Sequence, residues 1–205
     1  MNDMISVVLP VYNAGSYLSA SIESILNQSY TNFEFIIIND ASKDESKKII
    51  EQYCAIDDRI IFINHEKNIG LIDTLNEAIE KSQGKFIARM DQDDISTSNR
   101  LNLQYKYMLE NNLDICGGNF LIIDENSKVI GKSIVPKTYE EITLTMGSNV
   151  PFAHPSIMVR KDFLTKNNFK YGLSGYKNAE DLYLWFLMYN SGAKFGNLPH
   201  FILKY

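Results

Sequence analysis

The first half of the chain alternates continuous apolar runs with segments that are apolar only at every third or fourth position. The runs cover residues 5–11, 33–38, 59–63 and 86–90. Between the first two runs, Leu18, Ile22 and Ile25 have the spacing of one helix face. A short run that is apolar throughout is typical of a strand buried on both faces in a parallel sheet. The pattern therefore predicts four strands connected by three helices.

Two signals mark helix boundaries in this half. Ser42 and Glu45 have the spacing of a capping box, which predicts that the second helix opens there. Gly84 follows the helical apolar positions of residues 71–79 and predicts the end of the third helix. Because right-handed crossovers place the carboxyl ends of parallel strands on one edge of the sheet, the residues that follow the four strands are expected to meet at one cleft.

The second half has a different pattern. Its predicted helices and strands cover residues 101–109, 115–123, 128–135, 156–159 and 179–189. A turn-prone stretch at 124–127 separates two of the strands, and a Gly-, Ser- and Asn-rich segment at 172–178 precedes the last helix. Residues 201–205 have the pattern of an unfinished strand, so we expect the chain to continue. We predict one α/β domain over residues 1–205, with a mostly parallel central sheet flanked by helices and a smaller mixed region after residue 94.

Composition narrows the classes of function. With 205 residues and 45% hydrophobic content, the chain can bury one sizeable core. Its 20 basic and 25 acidic residues give a net charge of -5 without a basic patch, which argues against a nucleic-acid partner. No apolar stretch approaches the roughly 18 residues of a membrane span, so we predict no integral membrane segment and a cytoplasmic location. Cys54 and Cys116 are expected to be reduced core residues.

Three carboxylates follow the fourth predicted strand: Asp91, Asp93 and Asp94. Carboxylates this close repel one another unless a positive group lies between them. A hard divalent cation, Mn²⁺ or Mg²⁺, that carries a phosphorylated ligand would suit them. The alternative is an acidic loop in which Asp94 or Ser96 only caps the next helix.

The residues after the other strands complete a recognisable series. The motifs P-x-Y-N at 10–13, D-x-S-x-D at 40–44, N-x-G-L at 68–71 and A-R-M-D-x-D-D at 88–94 occur in order. In this order and spacing the chain resembles the family-2 glycosyltransferases of the GT-A fold. Residues 152–156 and 179–185 extend the resemblance to members that build bacterial surface polysaccharides. It implies a Rossmann-like fold with a nucleotide-sugar-binding half, 1–94, and an acceptor-side half, 95–205.

The resemblance also implies a donor site and a metal site. The donor-site residues would be Pro10, Tyr12, Asn13, Asp40, Asn68, Arg89, Asp91 and Gln92. Tyr12 would lie near the base, and Asp40 would accept a hydrogen bond from a uracil-like imide. Asp91 would hold the ribose and share Mn²⁺ or Mg²⁺ with Asp93, although the sequence leaves open which acid of the three touches the metal.

A second acidic pair, Glu180 and Asp181, is expected at the start of the last helix. By resemblance Asp181 would be the general base, with Glu180 beside it as a supporting or alternative carboxylate. The chemistry agrees, since an acceptor hydroxyl must lose a proton on the face opposite the leaving group, which inverts the anomeric centre. Acids at a helix start also have a purely structural explanation, because they interact favourably with the helix dipole.

For two further residues the sequence indicates either two alternative roles or a structural role. His154 could reach the diphosphate or the metal, or be a structural hydrogen-bonding residue ahead of Pro155. Trp185 and its apolar neighbours on the last helix are expected to be core rather than a platform for a sugar.

The implied reaction is the transfer of one sugar from a nucleotide-sugar donor, most simply a UDP-sugar. The acceptor would be a saccharide or a lipid-linked or protein-linked glycan. The Q-x-x-R-W signature of processive synthases is absent from the sequence, which favours single addition. Asn39 stands where many relatives carry an aspartate. Peripheral association with the inner membrane face and a homo-oligomer both stay open.

Three other functions compete with this one. Aspartate-nucleophile phosphatases place their D-x-D after the first strand, and their next residues differ from those here. A calcium loop needs Gly and Glu at positions where this chain lacks them. A domain of the same fold that binds nucleotide or assembles with a partner without turnover is the non-enzymatic alternative.

Overall fold

The computed structural model describes residues 2–173 and 179–205. Its first half contains β1 (Ile5–Val11), α1 (Leu18–Leu26), β2 (Phe33–Asn39), α2 (Ser46–Cys54), β3 (Ile60–Asn64), α3 (Leu71–Lys81) and β4 (Phe86–Arg89). The four strands are parallel and lie in the order β3-β2-β1-β4. The predicted alternation of strand and helix is confirmed.

Both faces of this sheet are covered, which explains the continuous apolar runs. In β2, Phe35 and Ile37 pack with residues of α1 and α2, whereas Ile36 and Ile38 pack with residues of α3 on the other face. A strand that has no solvent face needs apolar side chains at every position.

The second half adds β5 (Ile95–Ser96), α4 (Arg100–Glu110), β6 (Ile115–Ile123), β7 (Val129–Ser133), α5 (Tyr139–Met146), β8 (Met158–Arg160), α6 (Lys161–Lys166), α7 (Glu180–Asn190) and β9 (Phe195–Lys204). β8 joins β4 in antiparallel orientation, and the order continues β8-β6-β9-β5, with β7 paired to β6. Over the described ranges, nine strands thus form one mixed sheet. The predicted fold class, a mostly parallel core with a smaller mixed region, is confirmed.

Several local predictions need correction. The capping box at Ser42 and Glu45 is wrong, because α2 begins at Ser46 and Glu45 makes no side-chain cap. Ser42 Oγ instead accepts a hydrogen bond from the Asn13 amide at 3.0 Å. Gly84 lies beyond the end of α3 at Lys81, and a Cβ there would be 2.5 Å from Ser6 N. Its role is therefore close strand packing rather than helix termination.

In the second half the strand predicted at 156–159 begins only at Met158, because residues 154–156 form a 3₁₀ turn. Residues 201–204 of the predicted unfinished strand form the end of the ten-residue strand β9, which begins at Phe195. Helix α5 was not predicted, although Thr138 and Glu141 form a capping box at its start. The segment predicted as a loop at 172–178 lies mostly outside the described residues.

Cys54 and Cys116 are both free, but only Cys116 is buried in the core, whereas Cys54 is half-buried. None of the helices within 2–173 and 179–205 is long and apolar enough to cross a membrane.

Candidate functional site

A cleft opens at the carboxyl ends of the parallel strands. Its volume is about 480 Å³, within the range of small-molecule sites in proteins. The cleft is lined by Pro10, Val11, Tyr12, Asp40, Asn68, Gly70, Leu71, Thr74, Arg89, Asp91, Gln92 and Asp93. Every residue predicted for the donor site except Asn13 therefore lies in one cleft.

Asn13 is not among the lining residues but supports them. It has a positive φ of 51°, and its Oδ1 accepts a hydrogen bond from the Lys43 amide at 2.8 Å. These contacts tie the loop after β1 to the loop after β2. The neighbouring Tyr12 makes two hydrogen bonds to the side chain of Gln92. The Tyr12 amide donates to Gln92 Oε1 at 2.7 Å, and the Tyr12 carbonyl accepts from Gln92 Nε2 at 3.2 Å.

The Asp40 carboxylate is held from several sides. Oδ1 accepts from the Ile69 amide at 2.8 Å and lies 2.9 Å from His65 Nδ1, while Oδ2 accepts from the Gly70 amide at 2.8 Å. Burial acts to raise the pKa of Asp40, but these hydrogen bonds outweigh it and hold the pKa below its usual value. Each carboxylate oxygen can accept two hydrogen bonds, so Oδ2 keeps room for one more donor. The predicted imide contact would have to use that position.

Asp91, Asp93 and Asp94, here called the acidic tip, have few partners. Asp91 Oδ2 accepts from Arg89 Nη1, and Asp93 is exposed beside it. Asp94 is only 3% exposed, and its Oδ2 has no hydrogen-bond partner in the described part of the chain. Burial and then the charges of Asp91 and Asp93 raise the pKa of Asp94 to about 8. Burial also raises the pKa of Asp91, against the effect of Arg89.

These observations agree with a cation that is bound by the protein together with a phosphorylated ligand, rather than by protein side chains alone. Within the described ranges no group of three or more His, Cys, Asp or Glu side chains is arranged to hold a metal. Asp91 and Asp93 nevertheless both line the cleft. Mg²⁺ and similar cations commonly take one or two carboxylates and complete their shell with phosphate oxygens and water. The residues present fit such an ion.

The capping alternative for the acidic tip is wrong. Helix α4 starts at Arg100 after Asn99, and no side chain caps it. Ser96 Oγ instead accepts from Arg100 Nη1 at 3.0 Å. The acids are thus not explained by the helix that follows.

Arg100 is a site residue that the sequence analysis missed. It is fully buried, and its Nη2 donates to the carbonyls of Arg89 at 2.7 Å and Ile157 at 3.3 Å. Nη1 reaches Met90 Sδ as well as Ser96, so one guanidinium holds both ends of the loop that carries the acidic tip. In the sequence, Arg100 is only an arginine in the first turn of a mixed polar and apolar helix, which gives no signal of this role.

Thr74 was also missed. It lies on the buried side of α3, lines the cleft, and its Oγ1 has no hydrogen-bond partner among the described residues. A buried hydroxyl of this kind suits a polar ligand atom.

Glu180 and Asp181 occupy the first turn of α7, as predicted. Neither is among the residues that line the cleft. The two acids and Asp91 add to the effect of burial in raising the pKa of the buried Tyr171, while Arg89 opposes it. Arg89 and Tyr171 line the same small cavity, and the acids of α7 are near enough for their charges to act on this tyrosine.

His154 contacts this tyrosine directly, with Nε2 2.9 Å from Tyr171 Oη. Burial, and then the charge of Arg89, lowers the pKa of His154 well below its usual value, so its ring is neutral. Trp185 is fully buried against Phe152, which confirms the core assignment. Its neighbour Phe186 is 38% exposed and departs from that assignment.

Comparison with known proteins gives a consistent result. The family model described as glycosyl transferase family 2 matches residues 6–169. The chain is 37% identical over 207 residues to the O-antigen biosynthesis glycosyltransferase WbnJ of Escherichia coli, covering 99% of this chain and 79% of that protein. It is 33% identical over 184 residues to the E. coli UDP-Glc:alpha-D-GlcNAc-diphosphoundecaprenol beta-1,3-glucosyltransferase WfgD, covering 89% and 68%.

Two solved structures share the fold. S. aureus TarS 1-349 in complex with UDP matches with a TM-score of 0.78 at 22% identity, covering 100% of this chain and 60% of that one. The mannosyltransferase PcManGT from Pyrobaculum calidifontis, in complex with GDP-Man and Mn²⁺, matches with a TM-score of 0.76 at 12% identity, covering 100% and 57%. The chain thus spans less than two thirds of either solved chain.

Proposed function

Because this chain belongs to glycosyl transferase family 2 and has the GT-A fold, we propose that it transfers one sugar from a UDP-sugar to a saccharide or glycoconjugate acceptor, with inversion. The predicted family and the assignment as a glycosyltransferase are confirmed. The donor, the acceptor, the stereochemistry and the role of each residue are parts of the proposal.

One observation carries the proposal: the cleft gathers residues from the ends of three strands that are far apart in sequence. Pro10 and Tyr12 follow β1, Asp40 follows β2, and Arg89 to Asp93 end and follow β4. Ligands bind at this edge of open α/β sheets. The cleft has an exposed aromatic ring after β1 and carboxylates beside a guanidinium after β4, which suits a base and a diphosphate.

The relatives support the substrate classes. WfgD is named for a UDP-glucose donor and a diphosphoundecaprenol-linked acceptor, and WbnJ for O-antigen biosynthesis. We assign this chain a UDP-sugar donor and a lipid-linked or otherwise saccharide-bearing acceptor of bacterial surface polysaccharide. A lipid-linked acceptor would bring the enzyme to the inner membrane face as a peripheral protein.

At the diphosphate end, Asp91 and Asp93 would hold Mn²⁺ or Mg²⁺, which when bound neutralises charge on the leaving diphosphate. Arg89, only 4% exposed and paired to Asp91, adds a fixed positive charge at the same place. A preorganised cation costs little reorganisation when negative charge develops on the leaving group. Tyr12 and the free acceptor position of Asp40 Oδ2 would orient the base.

At the acceptor end, Asp181 would take the proton of the acceptor hydroxyl as its oxygen attacks the anomeric carbon and the bond to the diphosphate breaks. Attack opposite the leaving group inverts that carbon. Asp181 lies in the first turn of α7, and its charge acts on Tyr171 together with the charges of Arg89 and Asp91, which supports this role. Glu180 would support or replace it.

A panel of nucleotide sugars, with and without Mn²⁺, tests the proposal through thermal shift and donor hydrolysis. We expect UDP-sugars to stabilise the protein only with the metal. Asp181→Asn should reduce turnover by about a hundredfold, since general-base catalysis typically contributes that much or more, and should leave UDP binding unchanged. Glu180→Gln is the companion variant that separates the two carboxylates, and it should reduce turnover less than Asp181→Asn does.

Two results would contradict these roles: UDP binding that ignores the metal, or turnover unchanged in Asp181→Asn. UDP binding without turnover on any acceptor would favour the non-enzymatic alternative.

A further inference from the structure

His65 lies between two carboxylates beside the donor cleft. It follows β3, and its side chain is 11% exposed. Nδ1 lies 2.9 Å from Asp40 Oδ1, and Nε2 lies 2.9 Å from Glu77 Oε2 on α3. Only the imidazolium form donates from both ring nitrogens, so both contacts are hydrogen bonds when the ring is charged.

The two carboxylates in contact with His65 favour that form. Besides Asp40 and Glu77, the charged residues that line the neighbouring cleft with His65 are Lys43, Lys47, Glu66 and Lys67. Burial acts to lower the pKa of His65, but the hydrogen bonds and charges of Asp40 and Glu77 outweigh it and raise the pKa above its usual value. The contribution of this charge is therefore present at low pH and lost as the pH rises through the raised pKa.

Asp40 connects His65 to the donor cleft. The same Asp40 Oδ1 accepts from the Ile69 amide, and Oδ2 accepts from the Gly70 amide. Gly70 has a φ of +89° and directly precedes α3, and it lines the cleft together with Asn68. Because the His65 amide also donates to the Asn39 carbonyl at 2.9 Å, the residue joins the ends of β2 and β3 to α3.

We propose that His65 is a positioning residue of the donor site: its charged form braces Asp40 against Glu77 and holds residues 68–70 in the shape that binds the nucleotide. This inference rests on the proposed function. When the ring loses its proton, one nitrogen becomes an acceptor that faces a carboxylate, and that contact is lost. The affinity for UDP therefore falls as the pH rises.

Calorimetric titration of UDP in excess Mg²⁺, from about pH 6 to about pH 9, tests the inference. In the wild type we expect the dissociation constant to rise about fivefold across this range, a typical size for coupling between two sites. His65→Gln should bind more weakly at low pH and lack this rise. His200→Gln, which changes an exposed histidine outside the cleft, should behave as the wild type. Titration of the UDP phosphate, and of Asp94 with its pKa of about 8, is common to all three proteins and cancels from the comparison.

Proton NMR gives a second, independent measurement, because the chain has only three histidines. If protonation of His65 favours UDP binding, then bound UDP must raise the pKa of His65 by the logarithm of the same factor. Glu77→Gln removes one of the two anions without touching the cleft lining, so it should lower the pKa of His65 and move the affinity change to lower pH.

The same pH dependence in the wild type and His65→Gln, or a His65 pKa that UDP does not change, would overturn the inference. If UDP does not bind the wild type at any pH, the proposed donor fails instead. Amide hydrogen exchange then tests whether His65 supports residues 68–70. The inference is supported if the protection of the Ile69 and Gly70 amides falls with pH in the wild type and is already low in His65→Gln. Equal protection in both proteins refutes it.

Discussion

The carboxylates at the two ends of the donor cleft have opposite environments. Asp40 is surrounded by donors from His65, Ile69 and Gly70, which lower its pKa. At the acidic tip, Asp94 has an oxygen without a partner and a pKa near 8, and the pKa of Asp91 is raised although Arg89 is its neighbour.

The difference separates a carboxylate whose position the protein fixes with its own donors from carboxylates that have few protein partners. A carboxylate held by several donors stabilises the fold that surrounds it. Buried or crowded carboxylates without partners cost stability, and they persist where a bound group compensates them. The comparison predicts that substitution at the acidic tip reduces function without reducing stability, whereas substitution of Asp40 reduces both.

Asp93→Asn should have the largest effect, a loss of kcat/KM of about a thousandfold, as for removal of one electrostatic contact to a developing charge. The thermal midpoint without ligand should not fall, because the change relieves repulsion within the acidic tip. Steady-state kinetics at saturating Mn²⁺ and calorimetry check both points. Asp58→Asn, an exposed acid before β3, is the control. A midpoint well below that of the wild type would remove the distinction between the two ends.

Arg100→Met tests what holds the acidic tip in place. The change leaves the buried carbonyls of Arg89 and Ile157 without their guanidinium donor. The free energy of unfolding should fall by about 3 kcal/mol, as when one side of a buried polar network is removed. Urea denaturation measures this loss.

Arg160→Met is the matched control for Arg100→Met. Arg160 makes a side-chain hydrogen bond to the Leu113 carbonyl at 2.7 Å and lies over the Phe86 ring. Its loss should cost about 1 kcal/mol. Equal losses for the two arginines would contradict a special role for Arg100.

Asp40→Asn should have the smallest of these effects but act on both properties. It replaces a charged acceptor of two amides, so the free energy of unfolding should fall by about 2 kcal/mol. The affinity for UDP should fall by about tenfold, or about 1.4 kcal/mol, because residues 68–70 lose their anchor.

Asp57→Asn separates the two effects of the Asp40 change. Asp57 also accepts a backbone amide, at Arg59, and it pairs with the Arg59 side chain at the opposite edge of the sheet. It should lower stability while leaving UDP affinity intact. UDP binding that is unchanged in Asp40→Asn would show that the anchor does not serve the donor site.

The sequence predicted the first half better than the second. In the parallel half, β1, β2 and β4 are buried along their whole length and the loop after each strand lies at a known edge, so the order of the motifs predicted the residues that share the cleft, except Asn13. In the second half, the direction and pairing of β5, β8 and β9 depend on contacts between distant segments. A two-residue strand such as Ile95–Ser96 has no periodicity that a sequence could reveal.

The sequence by itself determined the family, the fold class and the residues at the strand ends, because local apolar patterns and motif spacing carry that information. Only the tertiary structure decided how those residues are supported: that Arg100 holds the acidic tip, that His65 lies between Asp40 and Glu77, and that Asn13 stays out of the cleft. These contacts join residues far apart in the chain, and a hydrogen bond depends on distances of a few ångströms that residue spacing does not encode.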